Sequence, residues 1–318
     1  APEMSRIPLS ALIGLVMTGL FFFVAIFAQW IAPYGMAEIS GDVWEPMKLG
    51  YYLAPLGYVI GELWYAISHL PWKWDHIPFE SFLSTFSFPD PPVYWLGTDT
   101  LGRDLLSRMI FGAQTTIFVA TMATIVSFVT GSVLGFTAAV TGGWVDQVMS
   151  RLVDLFMSIP SLILALVILS VMPTTLTVLI LVMGLLDSTR VYRLARAVAV
   201  DITVMDYVEA ARLRGFGTGW MIFREILPNA LSPLVAELGL RFIFAVLFIS
   251  TLSFLGLGVQ PPLADWGGIV KENKEGLVYG VSAALIPAVA IAILSISVNL
   301  VADWILNRTT SLKGGRGA

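Results

Sequence analysis

Six apolar runs, each about as long as a bilayer is thick, constrain the fold of this chain more than any other feature. A helix needs about 20 residues to cross about 30 Å of hydrocarbon. Because backbone polar groups in lipid must bond internally, the runs are predicted to be helices rather than open strands. Only 13% of the 318 residues are charged, against roughly 25% in soluble domains. The runs lie near residues 9–32, 114–140, 148–172, 174–200, 229–259 and 281–306.

The connections between the runs predict the topology. Residues 141–146 have the composition of a tight turn, and Pro173 marks another. Lys and Arg are denser on one side of the predicted bundle, which is therefore expected to be cytoplasmic. Both termini are then inside. The members of the denser set are Arg6, Arg151, Arg190, Arg193, Arg196, Arg212, Arg214, Arg224, Arg308, Lys313 and Arg316.

Four regions follow from this topology. Residues 1–35 form a cytoplasmic N-terminus and the first span, and 36–113 form an extracytoplasmic loop with an insertion and an interfacial helix at 100–112. Residues 114–306 form a five-helix core that includes a loop at 201–228, and 307–318 form a cytoplasmic tail.

The stretch 51–67 is apolar and aromatic and offers an alternative count of seven spans. It contains Pro55, Gly57, Gly61 and Glu62, and an extra crossing would place the Arg-rich 190–224 region outside. The positive-inside rule therefore favours an outer loop near the lipid headgroups.

Composition excludes several kinds of chemistry. The chain has no Cys, so it has no disulfide, thiolate metal site or Cys nucleophile. Its two His residues, His69 and His76, fall in one loop and are interpreted as loop residues rather than metal ligands.

Residues 206–228, here called the 206–228 segment, are basic and polar between apolar runs. Asp206 is predicted to cap a helix that carries Glu209 in its first turn. Gly215 and two further glycines then interrupt the chain before a second short helix at 220–226. Pro228 suits the first turn of the next span. Such a helix–glycine–helix unit can dock on a soluble protein, although an interfacial loop whose Arg residues only set topology is the alternative.

Three motifs give the chain a family resemblance. The first is Glu209-Ala210-Ala211, with Gly215 six residues after Glu209 and Leu227-Pro228 further on. The second and third are LGTDTLGRDLLSR at 96–108, and LSFLGLGVQPP at 252–262 followed by ADWG at 264–267. Together they resemble the second permease of dipeptide/oligopeptide/nickel-type ABC importers. Glu225 departs from the pattern, which has an apolar Ile there, and Ser188 stands where a Trp is usual.

The resemblance implies an all-α membrane protein with six transmembrane helices and a cytoplasmic coupling helix, in a bacterial inner membrane. Its partners would be a second homologous permease, two cytoplasmic ATPase subunits, an extracytoplasmic solute-binding protein and membrane lipid, with no nucleic acid. The permease is not an enzyme and binds no cofactor, because ATP and Mg belong to the ATPase subunits. The sequence itself has no G-x-x-x-x-G-K-[ST] phosphate loop.

The same resemblance implies alternating access as the mechanism and short peptides as the first expectation for the solute. Nickel chelates, opines and oligosaccharides are the alternatives. It also implies the residues that couple the chain to the ATPase, which are Glu209, Ala210, Ala211, Gly215, Leu227 and Pro228.

Glu237 and Arg241 are charged residues four apart in the fifth apolar run, the favourable spacing and order for a helical pair. Charges in such helices usually face a bundle interior or a water path. A pathway or permease–permease contact and a structural ion pair are both open. Asp187 and Arg190 repeat the pattern, and there a structural pair is favoured.

Two outer stretches supply further candidates. One interpretation is a contact with the binding protein, or an outer gate. The other is local structure: Asp99 as a helix cap paired with Arg103, and Trp266 in an interfacial aromatic belt. Gly131 and Gly135 predict close helix packing, possible within the chain or with the other permease. The outer candidates are Asp99, Arg103, Asp104, Gln260, Asp265 and Trp266.

Two other functional classes fit less well. An ion-coupled carrier would need intramembrane acids on broken helices and often an inverted repeat, and only Glu237 and Asp187 qualify. An intramembrane enzyme would need a His cluster, a paired Asp motif or a Cys, none of which the sequence has.

Overall fold

The computed structural model describes residues 8–39, 41–45, 47 and 94–314, with side chains as far as residue 307. The alternative crossing at 51–67, both His residues and most of the 36–95 insertion lie outside the described residues.

The described part of the chain is helical, and two isolated bridges, Ile39 with Arg103 and Thr98 with Asp104, are its only β pairings. A π-helix spans Met221–Ile226, and 3₁₀-helices span Lys274–Tyr279 and Ser282–Ala284. The α-helices are α1 (Leu9–Ile26), α2 (Ala28–Ile31), α3 (Leu105–Thr141), α4 (Gly143–Ser158), α5 (Ser161–Val171), α6 (Leu176–Thr203), α7 (Asp206–Leu213), α8 (Thr218–Trp220), α9 (Leu227–Leu255), α10 (Trp266–Asn273) and α11 (Leu285–Gly314).

All six predicted runs are helical, and four described stretches are long and apolar enough to cross a membrane. These are Leu9–Ile26, Leu105–Thr141, Thr218–Leu255 and Ser282–Asn307. The fourth predicted run forms α6, whose 28 residues are long enough to span. Helix α6 is not among the four apolar spans, because it carries the charged residues Asp187, Arg190, Arg193 and Arg196.

The third predicted run is not one straight helix. Its residues divide between α4 and α5, which are bent by 84° relative to each other at Ile159 and Pro160. Proline has no N–H to donate and disfavours helical geometry in the residue before it. Counted as one broken span, this pair raises the number of apolar spans among the described residues to five.

The second span begins earlier than predicted. Helix α3 is 37 residues long and starts at Leu105 because Asp104 caps it, accepting a hydrogen bond from the backbone N–H of Ser107 at 2.8 Å. The predicted interfacial helix at 100–112 is therefore wrong as a separate element. Residues from Leu105 onward form the first turns of α3, and residues 100–104 form a turn before it.

The tightest helix pair in the bundle is α3 against α6. A Cβ added at Gly131 would lie 2.7 Å from the carbonyl oxygen of Ser188, and one added at Gly135 would lie 2.8 Å from that of Tyr192. The predicted small-residue packing is confirmed, and its partner is a helix of the same chain rather than the other permease.

Three apolar clusters hold the bundle together. One lies around the start of α3 and joins Leu105 and Met109 to Trp266 and Ile269 of α10. A second lies at the opposite end of α3, beside the 206–228 segment. The third packs Ala123 and Met183 against residues of α5 and α9.

Much apolar surface on the spans remains uncovered by the chain itself. Only 17% of the residues of α1 are buried inside the chain. In the most buried of the four spans, the share of buried residues in its most apolar part is 39%. Exposed apolar surface on this scale needs lipid or another membrane subunit as its solvent.

Candidate functional site

The first arm of the 206–228 segment is the short helix α7. Met205 is the residue before the helix, its backbone is extended, and no side chain caps the helix. The prediction that Asp206 is the cap is therefore wrong, because Asp206 is already the first helical residue. Asp206 and Glu209 both lie in the first turn, where their charges favour the helix dipole.

Gly215 ends this first arm. Its N–H donates to the carbonyl of Arg212 at 3.0 Å, and the N–H of Phe216 donates to that of Ala211 at 3.3 Å. This pair of bonds is the Schellman motif, which places the residue after the C-cap in the left-handed region. Gly215 has a φ of +82° there, as the motif requires.

The second arm is not a separate helix. Helix α8, the π-helix Met221–Ile226 and α9 follow one another without a break, so Thr218–Leu255 is one rod of 38 residues. The predicted short helix at 220–226 is thus the lower end of the fifth span. Pro228 lies in the first turn of α9, as predicted.

The apolar underside of both arms is anchored to the bundle. Val208 and Ala211 from the first arm are buried, as are Met221, Ile222 and Ile226 from the second. Of these five, Val208, Met221, Ile222 and Ile226 belong to one apolar cluster. It also contains Phe136 and Val140 of α3, Ala195 and Ala199 of α6, and Ala230 of α9. A force on the segment therefore reaches three long helices directly.

The opposite side of the segment is exposed and apolar. Leu213 is 83% exposed and Phe223 is 64% exposed. Phe216 and Trp220 stack with their ring centroids 3.9 Å apart, and each retains more than a third of its exposure. These residues were not predicted as coupling residues, although the aromatic residues that follow Gly215 and Gly219 in a polar segment were a visible signal.

The predicted coupling residues divide by exposure. Glu209, Ala210, Gly215 and Pro228 are exposed, Leu227 is half-buried and Ala211 is buried. Ala211 therefore serves the inner face of the segment. The four exposed residues lie on the same stretch of chain as the exposed apolar residues above.

Glu225, the departure from the family pattern, belongs to the link between the two arms. Burial, followed by the nearby charge of Glu225, raises the pKa of Tyr207 in the first arm. The carboxylate of Glu225 thus faces the first arm, and it is only half-buried.

The charged residues predicted in the fourth and fifth runs meet in one cluster. Arg241 binds Glu237 Oε1 through Nε at 2.8 Å and through Nη2 at 2.5 Å. Its Nη1 also lies 3.5 Å from Asp187 Oδ1, which Arg190 approaches at 3.3 Å. Ser127 Oγ of α3 donates to Asp187 Oδ2 at 3.1 Å. The two pairs that the sequence suggested separately are therefore joined across α6 and α9.

The outer candidates at 99–104 form a second, buried network. The Asp99 carboxylate accepts from Arg103 Nε at 2.7 Å and from Arg108 Nη1 at 2.5 Å. Both guanidinium groups also bind Glu272. Asp99 does not cap α3, which Asp104 does, but the predicted pair with Arg103 is confirmed. Arg108 and Glu272 were missed, although Arg108 belongs to the motif at 96–108.

Burial of Asp99 raises its pKa, yet the net shift is downward. Hydrogen bonds from the backbone N–H groups of Arg103 and Leu101 lower the pKa, and so do the charges of Arg108 and Arg103. The carboxylate is therefore ionised, as two neighbouring guanidinium groups require.

Of the outer candidates at 260–266, Trp266 packs on the first turns of α3. Trp266 donates from Nε1 to the carbonyl of Met109 at 3.0 Å. Asp265 caps α10 by accepting from the N–H of Gly267 at 3.1 Å and of Gly268 at 3.3 Å. Burial raises the pKa of Asp265 to about 6. The two outer motifs read from the sequence are thus one structural unit.

Exposure decides which outer candidates are free to touch another protein. Asp99, Arg103, Asp104, Asp265 and Trp266 are buried, whereas Gln260 is exposed. Of these six candidates, only Gln260 is therefore exposed enough to contact another protein directly. Among the described residues, no three His, Asp or Glu side chains are placed to hold a metal.

A comparison with known protein families identifies the family to which this chain belongs. Residues 131–311, which contain the 206–228 segment and the charged cluster, match the family described as binding-protein-dependent transport system inner membrane component. The chain belongs to this family. It is the permease subunit of a binding-protein-dependent ABC importer, a multi-pass protein of the inner membrane, and the ATPase is a separate chain.

Individual relatives agree with this family. A di/tripeptide transport system permease protein, DppC, of Pseudomonas aeruginosa is 30% identical over 92% of this chain and 85% of its own length. A putative peptide transport system permease protein of Brucella suis is 36% identical over 65% of this chain and 70% of its own. A probable D,D-dipeptide transport system permease protein, DdpC, of Escherichia coli is 32% identical over 72% and 76%.

A solved structure supports the fold. The MetNI methionine ABC transporter, in an inward-facing conformation, matches with a TM-score of 0.50 at 20% identity. The match covers 64% of this permease and 97% of that chain. The prediction of an all-α ABC importer permease is confirmed, with the described spans counted as above.

Proposed function

We propose that this permease forms the import path for short peptides together with a second, homologous permease. The proposal rests on the relatives reported above, which are all named as permeases for dipeptide, di/tripeptide or peptide transport. The uncovered apolar surface of the spans supports a second membrane subunit.

The importer is proposed to have two ATPase subunits on the cytoplasmic side, and the 206–228 segment is proposed to be the element that docks this permease on the ATPase. Both termini lie on that side, as the distribution of Lys and Arg favours. Leu213, Phe216, Trp220 and Phe223 supply an exposed apolar contact surface on a segment otherwise rich in charge. ATP and Mg are bound by the ATPase subunits, and this chain needs no cofactor of its own.

Alternating access follows from how the segment is attached. ATP-driven movement of the ATPase pair displaces the segment, and the continuous rod Thr218–Leu255 carries that displacement toward Glu237 and Arg241. These two residues are proposed to lie beside the solute path. The outer loop bearing Gln260 is proposed to face the solute-binding protein.

The test is uptake by the reconstituted importer. The permease pair, the ATPase subunits and the binding protein are incorporated in proteoliposomes with ATP on the ATPase side. We expect ATP-dependent accumulation of labelled L-alanyl-L-alanine, and none with a non-hydrolysable ATP analogue. Collapsing ion gradients should leave the uptake unchanged.

Competing solutes make the assay decisive. A nickel–histidine chelate, an opine or an oligosaccharide in excess should not reduce dialanine uptake. Uptake of one of these in place of dialanine would overturn the peptide assignment. Uptake that persists without ATP hydrolysis would overturn the coupling role of the segment.

A further inference from the structure

A cavity of about 240 Å³ lies between α3, α5, α6 and α9, and two opposite charges line it. The charges are Asp187 and Arg190, one helical turn apart on α6. The apolar walls include Leu162, Met183 and Phe248. Small-molecule sites commonly combine mostly apolar walls with a few polar groups.

The ion pair of Asp187 with Arg190 is longer than the neighbouring pair of Glu237 with Arg241. Their closest atoms are 3.3 Å apart, and Asp187 lies 3.5 Å from Arg241, whereas Arg241 and Glu237 approach to 2.5 Å. The Arg190 side chain is 43% exposed. Glu237 therefore fixes Arg241, while Asp187 and Arg190 retain capacity for other ionic partners.

The cavity lies near the middle of the membrane, where a transport path would pass. Ser161 and Leu162, which line it, are the first residues of α5, just after the 84° bend. Helix α5 has 11 residues, so its start lies about 16 Å from its far end, about half of a hydrocarbon core of about 30 Å. A broken helix at this depth is tolerated where it lines a cavity or is buried in protein.

We propose that Asp187 and Arg190 bind the two charged ends of a zwitterionic peptide during its passage. The ammonium group of the peptide pairs with the Asp187 carboxylate, and its carboxylate pairs with the Arg190 guanidinium. Side chains of the peptide contact the apolar walls. This inference rests on the proposed function and names the residues that recognise its solute.

The charge balance of the cluster favours such a ligand over a simple ion. Asp187 and Glu237 contribute two negative charges, and Arg190 and Arg241 contribute two positive ones. A zwitterion exchanges partners with Asp187 and Arg190 without leaving a net charge in a low-dielectric site. A lone cation or anion would leave one of the two unpaired, which is expensive at membrane depth.

Ligand and residue can be changed in matched pairs. The complete importer without its binding protein is mixed with L-alanyl-L-alanine, its N-acetyl form or its C-terminal amide, and weak binding is measured by ligand-observed NMR. In the wild type, removing either charge of the peptide should weaken binding about tenfold. Asp187→Asn should abolish the penalty for N-acetylation, and Arg190→Gln should abolish the penalty for amidation.

Asp154→Asn and Arg193→Gln are the matched controls. These residues form a 2.6 Å pair between α4 and α6, are each more than half exposed, and do not line the cavity. Both variants should keep both penalties. Retained binding of the N-acetyl form to Asp187→Asn would show that this variant is folded.

The outcomes separate this inference from the proposed function. Unchanged penalties in Asp187→Asn and Arg190→Gln, in an importer that still takes up dialanine, would overturn the cavity assignment and leave the proposed function intact. No dialanine uptake by the complete wild-type importer would overturn both. Loss of the matched penalties, each with its own variant, would support the assignment.

Discussion

Arg108 reaches the carboxylate of Asp99 at 2.5 Å, and the two side chains are 3% and 0% exposed. Arg103 and Glu272 complete the network, which ties the loop before α3 to α10. The loop before α3 is thus held to α10 by a network in which the Asp99 and Arg108 side chains are almost fully buried.

Asp99→Ala should lower the free energy of unfolding by about 3–5 kcal/mol, because two buried guanidinium groups would then share the single, partly exposed carboxylate of Glu272. Thermal unfolding of the detergent-solubilised permease measures the effect. Asp154→Ala removes an exposed ion-pair partner, and it should change stability by about 1 kcal/mol or less. Equal effects of the two substitutions would contradict a buried role for Asp99.

Gly135→Ala should also destabilise the bundle. Its new Cβ would fall 2.8 Å from the carbonyl oxygen of Tyr192, so α3 and α6 must move apart. Overpacking of this kind typically costs about 1–3 kcal/mol. Gly217→Ala adds a methyl where nothing lies within 4 Å and should be nearly neutral. A thermal-shift comparison that ranks the two alike would argue against the close α3–α6 contact.

Gly215→Ala should uncouple ATP hydrolysis from transport. The left-handed φ of +82° costs a residue with a Cβ about 1–2 kcal/mol, which favours a different path between the two arms. We expect solute moved per ATP hydrolysed to fall severalfold, while the spans remain folded. Asn tolerates this conformation better, so Gly215→Asn should retain more coupling. Gly219→Ala, at an open helical position, should behave as wild type.

Leu213→Ser should weaken assembly with the ATPase subunits. A fully buried Leu contributes about 1.5–3 kcal/mol, so its loss from the docking surface should reduce affinity about tenfold or more. The matched control is Val278→Ser in the outer 3₁₀-helix, where the side chain is 86% exposed. Titration of purified ATPase onto permease in nanodiscs measures both, and equal affinities would remove Leu213 from the interface.

The buried carboxyl group of Asp265 should make the free energy of unfolding depend on pH. Burial raises its pKa from 3.8 to about 6, so the folded protein holds this proton more tightly than the unfolded chain. Its contribution is complete below pH 3.8 and is lost as the pH rises through about 6, by roughly 3 kcal/mol at about 1.4 kcal/mol per unit.

Asp265→Asn removes that titration and supplies its control. Between pH 4 and pH 7, the wild type should lose roughly 2.5 kcal/mol of stability relative to Asp265→Asn, because part of the full loss occurs below pH 4. Chemical unfolding at a series of pH values measures the difference between the two proteins. A difference independent of pH would show that Asp265 titrates alike in the folded and unfolded chains.

The sequence predicts the helices well because apolar length is a strong signal in lipid. It misses the bend at Pro160, since a proline inside an apolar run is also compatible with a gently kinked span. It misplaces the start of α3 because Asp99 and Asp104 are both plausible caps, and only the tertiary partners of Asp99 separate them.

The candidate site divides in the same way. Glu209 and Gly215 are readable from local chemistry and from the motif that contains them. The exposed surface of Leu213 and Phe223 depends on which face of the segment packs on α3 and α6, which no local pattern specifies. The contact of Asp187 with Arg241 likewise joins two different helices, at residues that are 54 apart in sequence.

The continuous helix from Thr218 to Leu255 can transmit a rotation about its own axis as well as a displacement along the chain. Trp220 and Arg241 are separated by about 30 Å of continuous helix, with the π-helix Met221–Ile226 at its lower end. Shifting the hydrogen-bond register of that wide turn by one residue would rotate everything above it by about 100°. Such a shift would turn Arg241 around the axis of its own helix and remove it from the carboxylate of Asp187, which it now approaches at 3.5 Å.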